Sequence, residues 1–307
     1  MGKYLGVSAV QMNIVPGDTN ANVTKMLDLA RGNVEDFPWV NMIVFSELVI
    51  PGFNAATLLE QAEPVPGPTT ERIGEVAKEL GVYIVAGSMF EKAGDDLYNT
   101  TPVLGPDGSL VAKYRKMFPW LPLEPSKPGK EFCVFDIPGL CRVGVCICYD
   151  FWFPEVCRQL TWMGADVIVH PTMTPTALQR AEIDVAKVRA LENGVFMVSA
   201  SGSGLHGGLG LGGGSVIIDP EGRVLQKLDN SENIVNELLN LEQVEISQEF
   251  GSVTLSVQGM KHLAEMNHTF PIYTEGYKKG EFFKKRGAAQ GIESYLGRRK
   301  ISLPYTP

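Results

Sequence analysis

The chain has 307 residues, 44% of them hydrophobic and 20% charged, and a formal net charge of -8 at pH 7. That length and apolar content can bury the core of one large α/β domain without disulfides or a structural metal, and they exclude disorder along the whole chain. The longest apolar stretch, Leu80 to Phe90, is about half of the roughly 20 residues that a membrane helix needs, so no membrane span is expected.

Strand-like runs alternate with helical patterns for most of the length. Leu5 to Met12 reads as a strand, and Asp18 or Thr19 can cap a helix with Val23, Met26, Leu27 and Ala30 on its apolar face. Met42 to Phe45 is a buried-strand run. Thr69 to Leu80 reads as a helix with Ile73, Val76, Ala77 and Leu80 inward, stopped by Gly81 before a strand from Val82 to Ser88. Gly105-Pro106-Asp107-Gly108 and Asp219-Pro220-Glu221-Gly222 lie between β-rich runs and mark hairpins. Val143 to Cys148 is another buried strand, Pro154 starts a helix to about Trp162, and Val167 to Val169 is a strand. A helix from Ala177 to Leu191 and a strand from Val195 to Ser199 complete the alternation. Mixed βα units and hairpins predict large sheets with helices on their outer faces. After about Asn240 the pattern weakens into a polar, Gly-punctuated tail with no evident place in the core.

Five cysteines, Cys133, Cys141, Cys146, Cys148 and Cys157, crowd into one region in odd number. They read as reduced thiols of a cytoplasmic protein, and no secretory signal precedes the first strand. Charge is uneven. From Glu275 to Lys300 eight Lys/Arg stand against three Asp/Glu, +5, which leaves -13 on the remainder. An acidic body repels phosphate, so nucleic acid is not an expected partner and the basic tail reads as a solvated arm or one docked on a neighbouring subunit.

Cys148 ends an apolar strand and precedes the helix signal Phe153-Pro154-Glu155. A thiol on such a strand-to-helix turn is pushed out of the sheet, where backbone N–H groups can face an oxyanion and the helix N-terminus favours a thiolate. Cys146 reads as deeper on the same strand face, and the other three cysteines lack a comparable turn. The spacings form no paired knuckles and no histidine lies among them, so no metal site is expected. His170, before Pro171 at a strand end, reads as a satisfied polar residue rather than as the partner of a Cys/His pair. Gly202-Ser203-Gly204-Leu205-His206-Gly207 formally matches a dinucleotide fingerprint, but more glycines and a strand follow where a helix is required. It reads as a loop. Glu47 closes the run from Met42 and Lys116 closes the run from Leu110, so a base, a cation and a nucleophile each stand at a strand end, and one rim can hold all three.

At these residues the sequence resembles the nitrilase, or carbon-nitrogen hydrolase, superfamily. Its Glu-Lys-Cys set maps onto Phe45-Ser46-Glu47, Tyr114-Arg115-Lys116 and Val145-Cys146-Ile147-Cys148. Pro154-Glu155, Gly164-Ala165-Asp166 and Arg189-Ala190-Leu191-Glu192-Asn193 agree as well, and the likeness spans about residues 4 to 230. The run Tyr114 to Pro125 looks like that of aliphatic amidases and formamidases, whose second glutamate matches Glu124, eight residues after the lysine. The aromatic run Tyr149-Asp150-Phe151-Trp152-Phe153 and Leu48 after the first glutamate depart from those amidases.

The resemblance implies an α/β fold of the four-layer αββα sandwich type, with residues 1–240 as the hydrolase domain and 241–307 as a C-terminal extension packing on another subunit of a homodimer or larger homo-oligomer. It implies cysteine-dependent hydrolysis of a small-molecule, non-peptide amide through a thioester, with no metal or organic cofactor. Glu47 would be the base, Cys148 the nucleophile, Lys116 and the Tyr149 N–H the oxyanion partners, and Glu124 the residue that positions the substrate nitrogen. Tyr149, Trp120, Phe53 and Phe151 are the candidate acyl-pocket residues, unless the aromatic run only packs the helix start. The same catalytic set could instead serve a nitrile, N-carbamoyl or hydrazide substrate, or stand silent in a binding protein.

Overall fold

The computed structural model describes residues 2–54, 57–120, 124–206 and 209–251. The basic stretch from Glu275, the arm beyond residue 251 and Leu121-Pro122-Leu123 lie outside the described residues.

Among the described residues two large sheets stack face to face. The first holds seven strands: β1 (Tyr4–Gln11), β2 (Met42–Val44), β3 (Tyr83–Val85), β4 (Met89–Ala93), β5 (Asp96–Leu104), β6 (Leu110–Arg115) and β15 (Asn233–Asn240), in the order β15-β1-β2-β3-β5-β4 with β6 also on β5. The second holds six: β7 (Cys133–Ile137), β8 (Cys141–Val145), β9 (Val167–Thr172), β10 (Phe196–Ser201), β13 (Val216–Ile218) and β14 (Val224–Lys227), in the order β14-β13-β10-β9-β8-β7. Helices α1 (Thr19–Asp36) and α2 (Pro68–Leu80) cover the first sheet, and α3 (Pro154–Trp162) and α4 (Gln179–Asn193) cover the second. This is the expected αββα sandwich.

The layers follow from the period of two along each strand. Leu5, Val7 and Ala9 of β1, Met42 and Val44 of β2, Val143 and Val145 of β8, Val167 and Val169 of β9, and Phe196, Val198 and Ala200 of β10 share one buried cluster between the sheets. Their alternates face helices: Val10 and Ile43 pack with Val23, Met26 and Ile73, while Ile168 and Met197 pack with Val156, Leu160 and Ala186. The helix signals act locally. The Asp18 side chain accepts from the Ala21 N–H at 2.9 Å to start α1. Pro68 opens α2, and Gly81, at φ +68, lets its own N–H cap the Ala77 carbonyl.

Both predicted hairpins are present, joining β5 to β6 and β13 to β14. The glycine-rich stretch forms a small antiparallel ribbon, β11 (Ser203–His206) with β12 (Leu209–Gly212), and no helix opens there. Two boundaries differ from the sequence reading. The strand expected to reach Cys148 stops at Val145, because Cys148 has φ +46 and starts a tight 3-10 turn to Trp152. The chain after Asn240 does not leave the core at once: α5 (Glu242–Glu249) follows, Leu241 and Val244 join the cluster between the sheets, and the Leu241 N–H donates to the Lys3 carbonyl at 2.9 Å. No helix among the described residues is long and apolar enough to cross a membrane.

Candidate active site

The C-terminal ends of β2, β6, β8 and β9 converge on one rim, and the chain folds tightly there to turn side chains inward. Gly87, at φ +66, lies so close to the first sheet that a Cβ would stand 2.0 Å from the Ser46 carbonyl oxygen. That approach seats the turn carrying Glu47. Leu48, next in sequence, is itself at φ +50 and its N–H donates to Ser88 Oγ at 2.8 Å. The Glu47 N–H reaches across to the Thr172 carbonyl of the second sheet at 3.3 Å.

Glu47, Lys116 and Glu124 are all buried, and they meet. Lys116 Nζ lies 2.7 Å from Glu47 Oε1 and 2.7 Å from Glu124 Oε2. Asn99, on β5, gives one Nδ2 hydrogen to each carboxylate, at 2.9 Å in both cases. Glu124 also accepts from Ser126 Oγ at 2.8 Å and from the Trp120 N–H at 3.0 Å. Burial opposes the Glu124 charge, but Lys116 and the donors outweigh it and hold this carboxyl below its ordinary value. Burial likewise disfavours the ammonium of Lys116, yet the charges of Glu47 and Glu124 keep it well above its ordinary value. The lysine is a fixed cation.

Cys148 faces this group. Its thiol is pushed well above its ordinary value, first by burial and then by the charge of Glu47, with Lys116 pulling the other way. Burial and Glu47 thus outweigh what the turn offers a thiolate and favour the thiol, in line with the expectation of a base at Glu47. Cys146 is also placed differently, since it packs among the helix-side residues while Cys148 lies against the cluster between the sheets. The positive φ at Cys148, a strain of about 1–3 kcal/mol, rotates it off the strand's alternation.

Three residues that the sequence reading did not assign hold that turn. Asp150 Oδ2 accepts from Tyr114 Oη at 2.7 Å and the Ile147 N–H at 3.0 Å, and its Oδ1 accepts from the Phe118 N–H at 2.8 Å. One carboxyl thus ties the cysteine turn to the Lys116 segment. Burial raises it to about 6. His170 Nε2 donates to the Cys148 carbonyl at 3.0 Å, which leaves Nδ1 to accept from Ser199 Oγ at 2.8 Å, and burial pushes the ring down to about 4, so it is neutral. Arg189 Nε donates to the Phe151 carbonyl at 2.8 Å and its Nη1 to Glu192 at 2.7 Å. The Arg189-to-Asn193 motif carried the signal for that clamp.

The aromatic candidates divide. Tyr149 and Trp120 each keep 37% exposure and can rim the mouth, and Phe53 is half-buried beside Leu48 and Met173. Phe151 does not belong with them: it is fully buried among helix-side residues and its ring stacks on His170 at 4.1 Å. Phe153 stacks on Phe118 at 3.8 Å and meets Tyr149 edge-on at 5.3 Å. Much of the aromatic run packs the helix start. Among the described residues no cluster of His, Cys, Asp and Glu is arranged to hold a metal ion.

A buried glutamate and lysine beside a half-buried cysteine, on the rim of an αββα sandwich, define an enzyme that cleaves carbon-nitrogen bonds. The carbon-nitrogen hydrolase family model matches residues 6–246, and the chain belongs to that family, within the nitrilase superfamily. It is 38% identical to a nitrilase of Pyrococcus abyssi over 239 residues, which covers 75% of this chain and 87% of that protein. It is 30% identical to the mouse (Mus musculus) omega-amidase NIT2 over 258 residues, 80% of this chain and 91% of the relative. Among solved structures it is similar to Nit3 of Saccharomyces cerevisiae, with a TM-score of 0.76, 23% identity and coverage of 82% of this chain and 96% of the other. An amidase from Nesterenkonia sp. has a TM-score of 0.72 at 23% identity, covering 80% of this chain and 94% of its own.

Proposed function

We propose that the chain hydrolyses a linear, non-peptide carboxamide to a carboxylate and ammonia or an amine, through a thioester on Cys148. The observation that carries this reading is the sharing of Lys116 Nζ, at 2.7 Å each, between Glu47 and a second buried carboxylate, Glu124. Glu47 takes the Cys148 proton as sulfur adds to the carbonyl carbon, and the oxyanion is held by Lys116 and the Tyr149 N–H. The proton passes to the nitrogen, the C–N bond breaks and the amine leaves. Water then gives a proton to Glu47 and adds to the thioester; loss of the C–S bond returns the thiol and releases the acid. Glu124 places the amide nitrogen and orients the water. None of these steps requires a metal or an organic cofactor. Relatives named omega-amidase and amidase support the amide over the nitrile, for which the relative named nitrilase speaks.

The test measures kcat/KM for matched amide and nitrile pairs, with ureido acids and hydrazides beside them, in the wild type and Glu124→Gln. Amides are expected to be preferred, and Glu124→Gln to lose at least tenfold on them. A wild-type preference for nitriles, or a Glu124→Gln enzyme that hydrolyses amides normally, overturns the reading. The C-terminal extension is proposed to pack on a second subunit, and sedimentation as a monomer at micromolar concentration refutes that.

A further inference from the structure

One buried titratable group stands beside the nucleophile and has no part in the mechanism above. Glu182, three residues into α4, is buried, with its Oε1 accepting from Thr172 Oγ1 at 2.6 Å and a second hydrogen bond to the Thr174 hydroxyl. Thr172 is the last residue of β9, and Thr172 and Thr174 are themselves 3.0 Å apart through their hydroxyl oxygens. The Thr172 hydroxyl has a second suitor, because it is also within hydrogen-bonding reach of the Cys148 sulfur, where its donation favours the thiolate. A hydroxyl has one hydrogen to give. It can serve the carboxylate or the sulfur, but not both.

The groups facing Glu182 decide which. Glu47, after β2, repels its charge, and Lys116, after β6, attracts it less strongly, being already shared by two carboxylates. The Cys148 sulfur, in the turn after β8, is disfavoured as a thiolate by a charged Glu182. On β9 the nearest ring, His170, is neutral and turned to Ser199 and the Cys148 carbonyl. Strands β10 and β13 bring only Ser199, Ser201 and Val216 to the small cavity of about 10 Å³ beside the carboxyl, a space for about one water molecule. Gln179 of α4 lines it as well. No ion pair reaches Glu182 among the described residues. Burial raises the carboxyl to about 7, so both of its forms are present near neutral pH.

We propose that Glu182 is a positioning residue that sets the direction of the Thr172 hydroxyl. When Glu182 carries its proton, it donates to Thr172 Oγ1, and Thr172 donates in turn to the Cys148 sulfur as negative charge develops there. When Glu182 is ionised, Thr172 turns to the carboxylate, and the sulfur loses its donor and gains a like charge. The stabilised thiolate belongs to the protonated form, so this contribution is complete below about pH 7 and is lost as the pH rises through it. The inference rests on Cys148 as the nucleophile proposed above.

Alkylation of Cys148 by iodoacetamide, followed by intact mass between about pH 5.5 and 8.5, reads the thiolate without any turnover. With a thiol held far above this range, log rate rises with unit slope in pH, and the Glu182 equilibrium imposes a bend near 7 where the slope falls. Glu182→Gln, which keeps a donor on Thr172 at every pH, is expected to straighten the line. Thr172→Val is expected to straighten it as well and to slow alkylation, while Thr172→Ser restores the bend. The matching limb of kcat/KM in the wild type falls between pH 6 and 8, by about tenfold at most, the drop in the protonated fraction of a group near 7. A bend that persists in Glu182→Gln, or a wild-type line without one, overturns the inference. Alkylation that does not find Cys148 ahead of the other cysteines overturns the nucleophile assignment instead.

Discussion

Lys116→Met keeps the length and removes the charge of a cation that faces two buried carboxylates, and its cost can be worked from their burial. Breaking a buried ion pair from one side costs about 3–5 kcal/mol, because the partner's charge is left uncompensated. The molecule limits that loss by taking up a proton at Glu124. Protonating a carboxyl of ordinary value, about 4.3, costs about 1.36 kcal/mol per pH unit, hence about 4 kcal/mol at pH 7 and about 1 kcal/mol at pH 5. The sign in the wild type is consistent. Glu124 is held below its ordinary value, so its contribution to stability is present above that value and fades as the pH falls through its folded-state value. The variant is therefore expected to lose about 4 kcal/mol relative to the wild type at pH 7, on the order of 10 °C in Tm, and roughly a quarter of that at pH 5. Urea unfolding of both proteins at the two pH values measures the difference, with kcat falling by orders of magnitude at either. Equal stability at pH 7, or the same loss at both pH values, would show that uncompensated charge is not what Lys116 prevents.

Three further substitutions probe the same site and its frame. Cys148→Ala is expected to abolish turnover and the acyl adduct seen by intact mass while the circular dichroism spectrum is unchanged, and Glu47→Gln to lower kcat at least a hundredfold; near-normal turnover in either removes that residue from the mechanism. Arg189→Met leaves the buried Phe151 carbonyl without its donor, a loss of about 1–3 kcal/mol, and should slow the reaction through a loosened cysteine turn; a variant with wild-type kcat and Tm argues that Arg189 does not hold that turn. A chain ending after Asn240 gives up Leu241 and Val244, about 3 kcal/mol of apolar burial, whereas one ending after Gly251 keeps both. Equal Tm values for the two truncations would contradict the placement of α5 in the core.

The sheets were legible where apolar residues alternate with period two and simple turn chemistry separates them, as along β1, β2 and β9. Strand β5 was legible only as the β-rich run before its hairpin, because its buried positions include Asn99, Thr100 and Thr101, polar groups that break the hydrophobic pattern. Helix α5 escaped for a related reason: Val244 and Ser247 are its buried residues, too few to set a period. Glu47, Lys116 and Cys148 could be singled out because each stands at or just beyond an element's end within a local motif, and Glu124 through the resemblance of the segment after Lys116. The roles of Asn99, Asp150 and Glu182 could not, since each acts on residues between 25 and 52 positions away or through a hydroxyl between, and nothing in the local sequence announces such a partner. A thiol that needs Glu47 as its base was part of the sequence reading, whereas the burial that pushes it well above its ordinary value is a property of the assembled rim.

Asp150 also bears on when the site is first complete. It joins a turn that belongs to one sheet to a segment that belongs to the other, and the lysine, the two glutamates and the sulfur come together only across that seam. A nascent or half-collapsed chain with a single sheet in place therefore holds Cys148 apart from Glu47 and Lys116. In the proposed mechanism turnover is withheld until both halves of the sandwich have closed, although the thiol of an open chain stays nearer its ordinary acidity.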